Sequence, residues 1–268
     1  MQKSNHSPRR QTDMQDKNRF FLEVCIDSVE SAIEAQAGGA DRLELCADLV
    51  IGGTTPSEAL FRRVRQTVDL PIHVMIRPRF GDFLYTEHEY QIMLDCVTAY
   101  KNLGADGIVA GILRSDGSFD FERMQQIREW SDGINLTLHR AIDMSNDPSD
   151  TADKAVRCGV DIILTSGHAD TAFAGIPVIR NLADSFGDKI EIMAGSGVSE
   201  ENIAEIYKQT GVRSFHLSGK KNVESDMVYR NEHVSMGLPG FSEYMVIRTD
   251  REQVRKAADV CHRLSARF

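Results

Sequence analysis

The residues able to do chemistry sit at the ends of short apolar runs. Glu23-Val24-Cys25 and Glu44-Leu45-Cys46 repeat one acid-apolar-thiol triplet. If Glu and Cys share the inward face of a strand, neighbouring strands about 4.8 Å apart set two thiols and two carboxylates side by side. Two close thiolates suit a soft monovalent ion such as Cu(I). The plainer alternative makes both cysteines small buried hydrophobes. The acids still need partners, because carboxylates rarely sit buried alone.

Cations and imidazoles follow the same placement. Arg77 shares parity with His73 and Met75, which points it inward with Glu23 or Glu44 as counter-ion. Arg79, just past that run and beside Gly81, is expected to reach an anionic ligand. His139 ends another run with Asp143 four residues on, a pairing suited to a general base or a metal ligand. The segments from Ser166, from Gly195 to Gly197 and from His216 to Lys220 are small and glycine-rich, so backbone N–H groups can approach an anion there. Tight turns alone are the competing explanation.

Three functions remain open on these residues. One is a Cu(I) site on Cys25 and Cys46. The second is an enzyme acting on a small anionic or phosphorylated metabolite. There Arg79, Gly195 and Gly197 hold the anion, with Arg77, Ser166 and His216 as further binding residues. His139 or Glu44 moves a proton, and Asp143 or Glu23 orients. The third is a scaffold without catalysis.

The elements that must position these residues follow a repeat. Gly39-Ala40-Asp41, Gly104-Ala105-Asp106, Gly159-Val160-Asp161 and Gly211-Val212-Arg213 each follow an amphipathic stretch and lead into a short apolar run. Glycine at a helix end followed by a strand is the signature of helix–strand alternation. Four more strands are expected at Phe20–Cys25, Ile72–Arg77, Ile134–His139 and Ile190–Ala194. Helices are expected at Ser28–Ala37, Pro56–Thr67, Thr86–Leu103 and Phe119–Trp130, with caps at Ser28, Thr55, Thr86 and Ser199. Eight strands in even repeat without a GxGxxG opening predict a single-domain α/β fold, a (β/α)₈ TIM barrel over residues 19–268. Chemistry then belongs at the C-terminal strand ends. Asn222–Glu243 reads as a long loop after strand eight, and Arg248–Ala266 as a final helix.

Composition narrows the partners. The chain has 268 residues, 31 basic against 40 acidic side chains and a formal charge of -9, which disfavours nucleic acid. No run reaches the roughly 20 apolar residues of a membrane span. Residues 1–18 are polar, lack a signal-peptide core and read as a disordered tail. Five widely spaced cysteines without CxxC suggest reduced thiols, and the expected location is the cytoplasm.

Taken together, the motifs resemble the CutC family of copper homeostasis proteins. The resemblance rests on Glu23-Val24-Cys25, on Gly39 through Cys46, and on Gly52-Gly53-Thr54-Thr55-Pro56-Ser57. It continues through Met75-Ile76-Arg77-Pro78-Arg79 with Gly81-Asp82-Phe83 and Tyr85, then His139 through Asp143 and Leu164-Thr165-Ser166-Gly167. Gly195-Ser196-Gly197, where the family more often has three glycines, and the His216 strand complete it. It implies a barrel fold and copper handling in the cytoplasm, with Cys25 and Cys46 as ligands. It also implies a homo-oligomer, dimer or tetramer.

Overall fold

The computed structural model describes residues 19–266 apart from 232, 235, 238, 239 and 241, so the tail expected over 1–18 lies outside the described residues. Helices and strands alternate as β1 (Phe21–Ile26), α1 (Val29–Gly38), β2 (Arg42–Leu45), α2 (Glu58–Thr67), β3 (Ile72–Met75), α3 (Glu87–Leu103), β4 (Gly107–Ala110) and α4 (Phe121–Trp130). They continue through β5 (Asn135–Leu138), α5 (Pro148–Cys158), β6 (Ile162–Thr165), α6 (Ile176–Phe186), β7 (Glu191–Ala194), α7 (Ile203–Thr210) and β8 (Ser214–Leu217). All eight strands pair in parallel, and β8 pairs β1 to close the barrel. The fold is the expected (β/α)₈ barrel. Among the described residues no helix is long and apolar enough to cross a membrane.

The glycine repeat marks helix ends. Gly39, Gly104, Gly159 and Gly211 adopt φ of 93°, 86°, 77° and 76° and cap α1, α3, α5 and α7. A side chain in that left-handed region is strained, which is why glycine recurs there. The aspartates behind them join neighbouring strands. Asp41, Asp106 and Asp161 each accept the backbone N–H of Leu22, Ile72 and Leu136 at 2.8, 2.9 and 2.7 Å. Each also donates its own N–H to the carbonyl of that same residue. Arg19, Arg65 and Arg128 pair with the three carboxylates, Arg19 on the second oxygen of Asp41 and the other two on the oxygen that also accepts the backbone N–H. The N-terminal end of the barrel is therefore stitched by side chains as well as by the ladder.

Two caps differ from expectation. Ser57, not Thr55, caps α2, because the Thr55 hydroxyl instead accepts the Arg77 N–H at 2.8 Å. Asn202 precedes α7, while Ser199 belongs to the turn before it. Ser28 and Thr86 cap as expected, Thr86 in a reciprocal box with Glu89. The segment after β8 is not loop throughout. β9 (Lys220–Glu224) pairs antiparallel with β10 (Met245–Thr249), and α8 (Arg251–Ser265) begins only after that hairpin. β9 is exposed along its length, so no apolar alternation announced it.

Outward strand residues such as Val24, Leu43, Val74 and Ile163 pack against the helices. The barrel interior is different. Two small apolar groups, Cys46–Met75–Val109 and Ile162–Leu164–Met193, fill part of it, and buried charged residues fill the rest. Asp106→Ala removes the acceptor of Ile72 N–H and Arg65 and is expected to destabilise the chain by about 1–3 kcal/mol. Urea unfolding measures this, and a loss below about 0.5 kcal/mol would deny the stitching role.

Candidate functional site at the C-terminal mouth of the barrel

Glu23 on β1 sits in register with Arg42 on β2 and His216 on β8. All three point inward. The Glu23 carboxylate accepts from Arg42 Nε at 2.5 Å and from His216 Nδ1 at 2.8 Å, with Glu23 wholly buried and Arg42 2% exposed. Burial alone would raise this carboxyl. Arg42 and then His216 outweigh it and hold Glu23 far below the usual range. The Arg42 guanidinium also lies 4.6 Å from the Phe21 ring centroid. His73 completes the layer as a neutral imidazole, pushed down by burial and by Arg42.

One step towards the C-terminal end, Cys25 is in register with Glu44. The ligand atoms of Cys25, Glu44 and His216 lie within 4.8 Å of one another. These three residues help line an open pocket of about 1150 Å³. Burial raises the Glu44 carboxyl, and His216 only partly counters it. His216 is pulled down by burial, yet Cys25, Glu44 and Glu23 reverse that and raise it well above its usual value. Its Nε2 stands 3.8 Å from Glu44.

The two thiols are not side by side. Because Cys25 is opposite Glu44, Cys46 falls two residues further along the neighbouring strand. It is wholly buried among Met75, Val109 and Leu49, and does not line the pocket. Burial and Glu44 push its thiol well above the usual range, and its Sγ is 3.5 Å from Glu44.

Arg77 points inward but meets neither expected carboxylate. Its guanidinium donates to the carbonyls of Gly53 at 3.0 Å, Ile51 at 3.4 Å and Gly81 at 2.7 Å, and stacks on Phe83 at 5.2 Å. Arg79 is engaged by Glu89 at 2.6 Å, by Asp82 at 3.0 Å and by the Leu84 carbonyl at 2.8 Å. It braces the loop before α3 and stays off the pocket lining.

His139 lines the pocket beside Phe83, ring centroids 4.8 Å apart, and its Nδ1 bonds the Ala141 N–H and not Asp143. Asp143 instead accepts from Arg140 Nε, from the Thr165 and Ser166 hydroxyls, and from the Ser166 and His168 amides. Ser166 is fully buried and holds Arg140 Nη2 at 2.8 Å. Gly197 lines the pocket. Gly195 uses its N–H on the ladder, donating to Thr165, so it offers the pocket no anion donor.

Three inward glycines make room for the rings. A methyl group on Gly107 would come within 2.5 Å of His73, and one on Gly111 within 2.7 Å of His139. One on Gly195 would meet Leu164 at 2.5 Å and His216 at 3.3 Å. Arg42, His73 and Arg140 are the parts sequence reasoning missed. The alternation that puts Glu44 inside also puts Arg42 inside, so that signal was present.

The comparisons with known proteins agree with this architecture. The sequence model of the CutC family matches residues 20–221. This chain belongs to the CutC family. A family protein CutC of Bacteroides fragilis is 47% identical over 221 residues, covering 81% of this chain and 87% of the relative. The mouse copper homeostasis protein cutC homolog is 41% identical over 239 residues, covering 89% and 88%. The crystal structure of CutC from Streptococcus agalactiae superimposes with TM-score 0.71 at 32% identity, covering 74% of this chain and 98% of that one.

The buried rings set an acid sensitivity in this CutC family member. His139 is pushed down to about 3 by burial and by Arg77, whereas an unfolded histidine takes up its proton near 6.5. Between those values the unfolded state binds the extra proton, so this contribution to stability is present above about 6.5 and declines as pH falls. His73 acts with the same sign. His216, raised when folded, acts with the opposite sign and is lost as pH rises. Between pH 7 and 5, His139→Gln is expected to make the decline in urea-measured stability shallower by up to about one proton. An unchanged slope would show that His139 takes up its second proton as readily in the folded chain as in the unfolded one.

Proposed function

We propose that this protein acts in copper homeostasis by holding Cu(I) at the floor of the barrel-mouth pocket, with Cys25 Sγ and His216 Nε2 as donors. The observation that carries this reading is the convergence of Cys25, His216 and Glu44 within 4.8 Å. Thiolate and imidazole are donors that Cu(I) accepts, while a carboxylate is too hard to be its main ligand. Glu44 therefore contributes charge beside the ion. The Nδ1–H of His216 on Glu23 fixes the ring and turns Nε2 towards Cys25 and Glu44, the carboxylate–histidine support common in metal sites. Loading the ion displaces a proton from His216, whose raised value keeps that proton on in the empty site, so uptake weakens at lower pH.

The names carried by the mouse and human relatives favour the copper role. Five free cysteines suit a reducing compartment, and we place the protein in the cytoplasm on that ground. Relative to a two-cysteine site, the donor pair here is Cys25 with His216, and Cys46 packs behind them.

Anaerobic Cu(I) titration against a competing chelator tests this. One equivalent is expected to bind. Cys25→Ser and His216→Gln should each weaken it by roughly 100-fold, about 2.7 kcal/mol, and Cys46→Ala by less than about threefold. Equal losses from Cys25 and Cys46 would restore the two-thiol site, and no binding to the native chain would end the copper reading.

A further inference from the structure

The pocket is far larger than an ion requires. Its volume of about 1150 Å³ lies just above the usual range of sites that take small organic molecules. Its wall from β3 to β5 carries three features that copper leaves unused.

The first is His139, 3% exposed. Its Nδ1 accepts the Ala141 N–H at 3.1 Å, so the single proton of the neutral ring sits on Nε2. That Nε2–H is buried and has no hydrogen-bond partner among the described residues. The ring is held between Phe83 and Gly111. The second is Arg77, 7% exposed, with no carboxylate within 4.0 Å among the described residues. Its charge is shared among carbonyls, and its Nε also lacks a partner there. A buried cation without a counter-ion favours an anion nearby. The third is Arg140, next in sequence to His139 and also on the pocket lining. Asp143 and Ser166 hold its Nε and Nη2, and Nη1 makes no hydrogen bond among the described residues.

We propose that this wall binds a small organic anion whose charged group neighbours a hydroxyl or carbonyl oxygen, either a hydroxy- or oxo-carboxylate or the phosphate ester of a small polyol. The anionic group meets Arg140 Nη1, with Arg77 supplying charge from the side. The neutral oxygen accepts from His139 Nε2–H. Phe83, Leu113 and Met144 cover the carbon skeleton. His139 acts as a donor in this site, because its lone pair is engaged by the Ala141 N–H. The inference stands apart from the copper reading, since neither His139 nor Arg140 belongs to the donor cluster.

Calorimetric titration of the full chain with malate, glycerol 3-phosphate and uncharged glycerol tests it. At least one anion is expected to bind with Kd at or below about 1 mM while glycerol does not, and the tighter anion identifies carboxylate or phosphate as the preferred group. His139→Phe and Arg140→Gln should each weaken binding roughly tenfold or more. His139→Gln, which keeps an N–H donor, should stay within about threefold, and it keeps the test decisive if the phenylalanine variant does not fold. Cys25→Ser should leave anion binding within about threefold while weakening copper roughly 100-fold, so the two readings fail separately. No binding of either anion at about 10 mM, or equal binding to every folded variant, would overturn the proposal.

Discussion

The buried ion pair between Arg42 and Glu23 is the constraint on which the mouth of the barrel depends. Both side chains point into a space that most barrels fill with branched apolar groups. Their desolvation is offset only because the pair is close and the carboxylate has a second donor in His216. Removing either member strands a charge in the interior, which typically costs about 3–5 kcal/mol. The same pair determines which way His216 faces. Without Glu23 on Nδ1, nothing described on that side would hold Nε2 towards Cys25 and Glu44.

The two ends of the barrel divide their work. At the N-terminal end, Asp41, Asp106 and Asp161 join strand to strand, and Asp106 and Asp161 also fasten α2 and α4 through Arg65 and Arg128. At the other end, loops after β3, β5 and β6 are held by arginines on carbonyls and by Asp143, and that bracing leaves the pocket open between them. Charged groups that look similar in composition are therefore structural at one rim and chemically available at the other.

Much of this was legible in the sequence, and the exceptions have physical causes. Helix-ending glycines and strand alternation are local, so the repeat gave the barrel and the inward parity of Glu23, Cys25, Glu44 and Arg77. Register between strands is not local. A shift of two residues replaced an expected Cys25–Cys46 pair with Cys25 beside Glu44. Arg79 misled for a related reason, because its partner Glu89 sits in the first turn of α3 and also serves the helix cap. Asp143 looked like an orienting group for His139 because they are four residues apart. The short helical turn from Arg140 to Met144 instead carries Asp143 to the amides at the end of β6.

Gly107 on β4, and Gly111 and Gly195 just past the ends of β4 and β7, stand beside His73, His139 and His216 on or just past the neighbouring strands, and a methyl group at any of them would collide with a neighbouring side chain. The His73 and His139 rings therefore occupy space that a neighbouring glycine has vacated, and at Gly195 that space is taken mainly by Leu164 with His216 close behind. Rings seated this way lose their rotational freedom when the chain folds, before anything enters the pocket. A ligand meets groups already immobilised, so little of its binding free energy goes to ordering the protein. The rigidity of the site is thus encoded partly in residues that have no side chain.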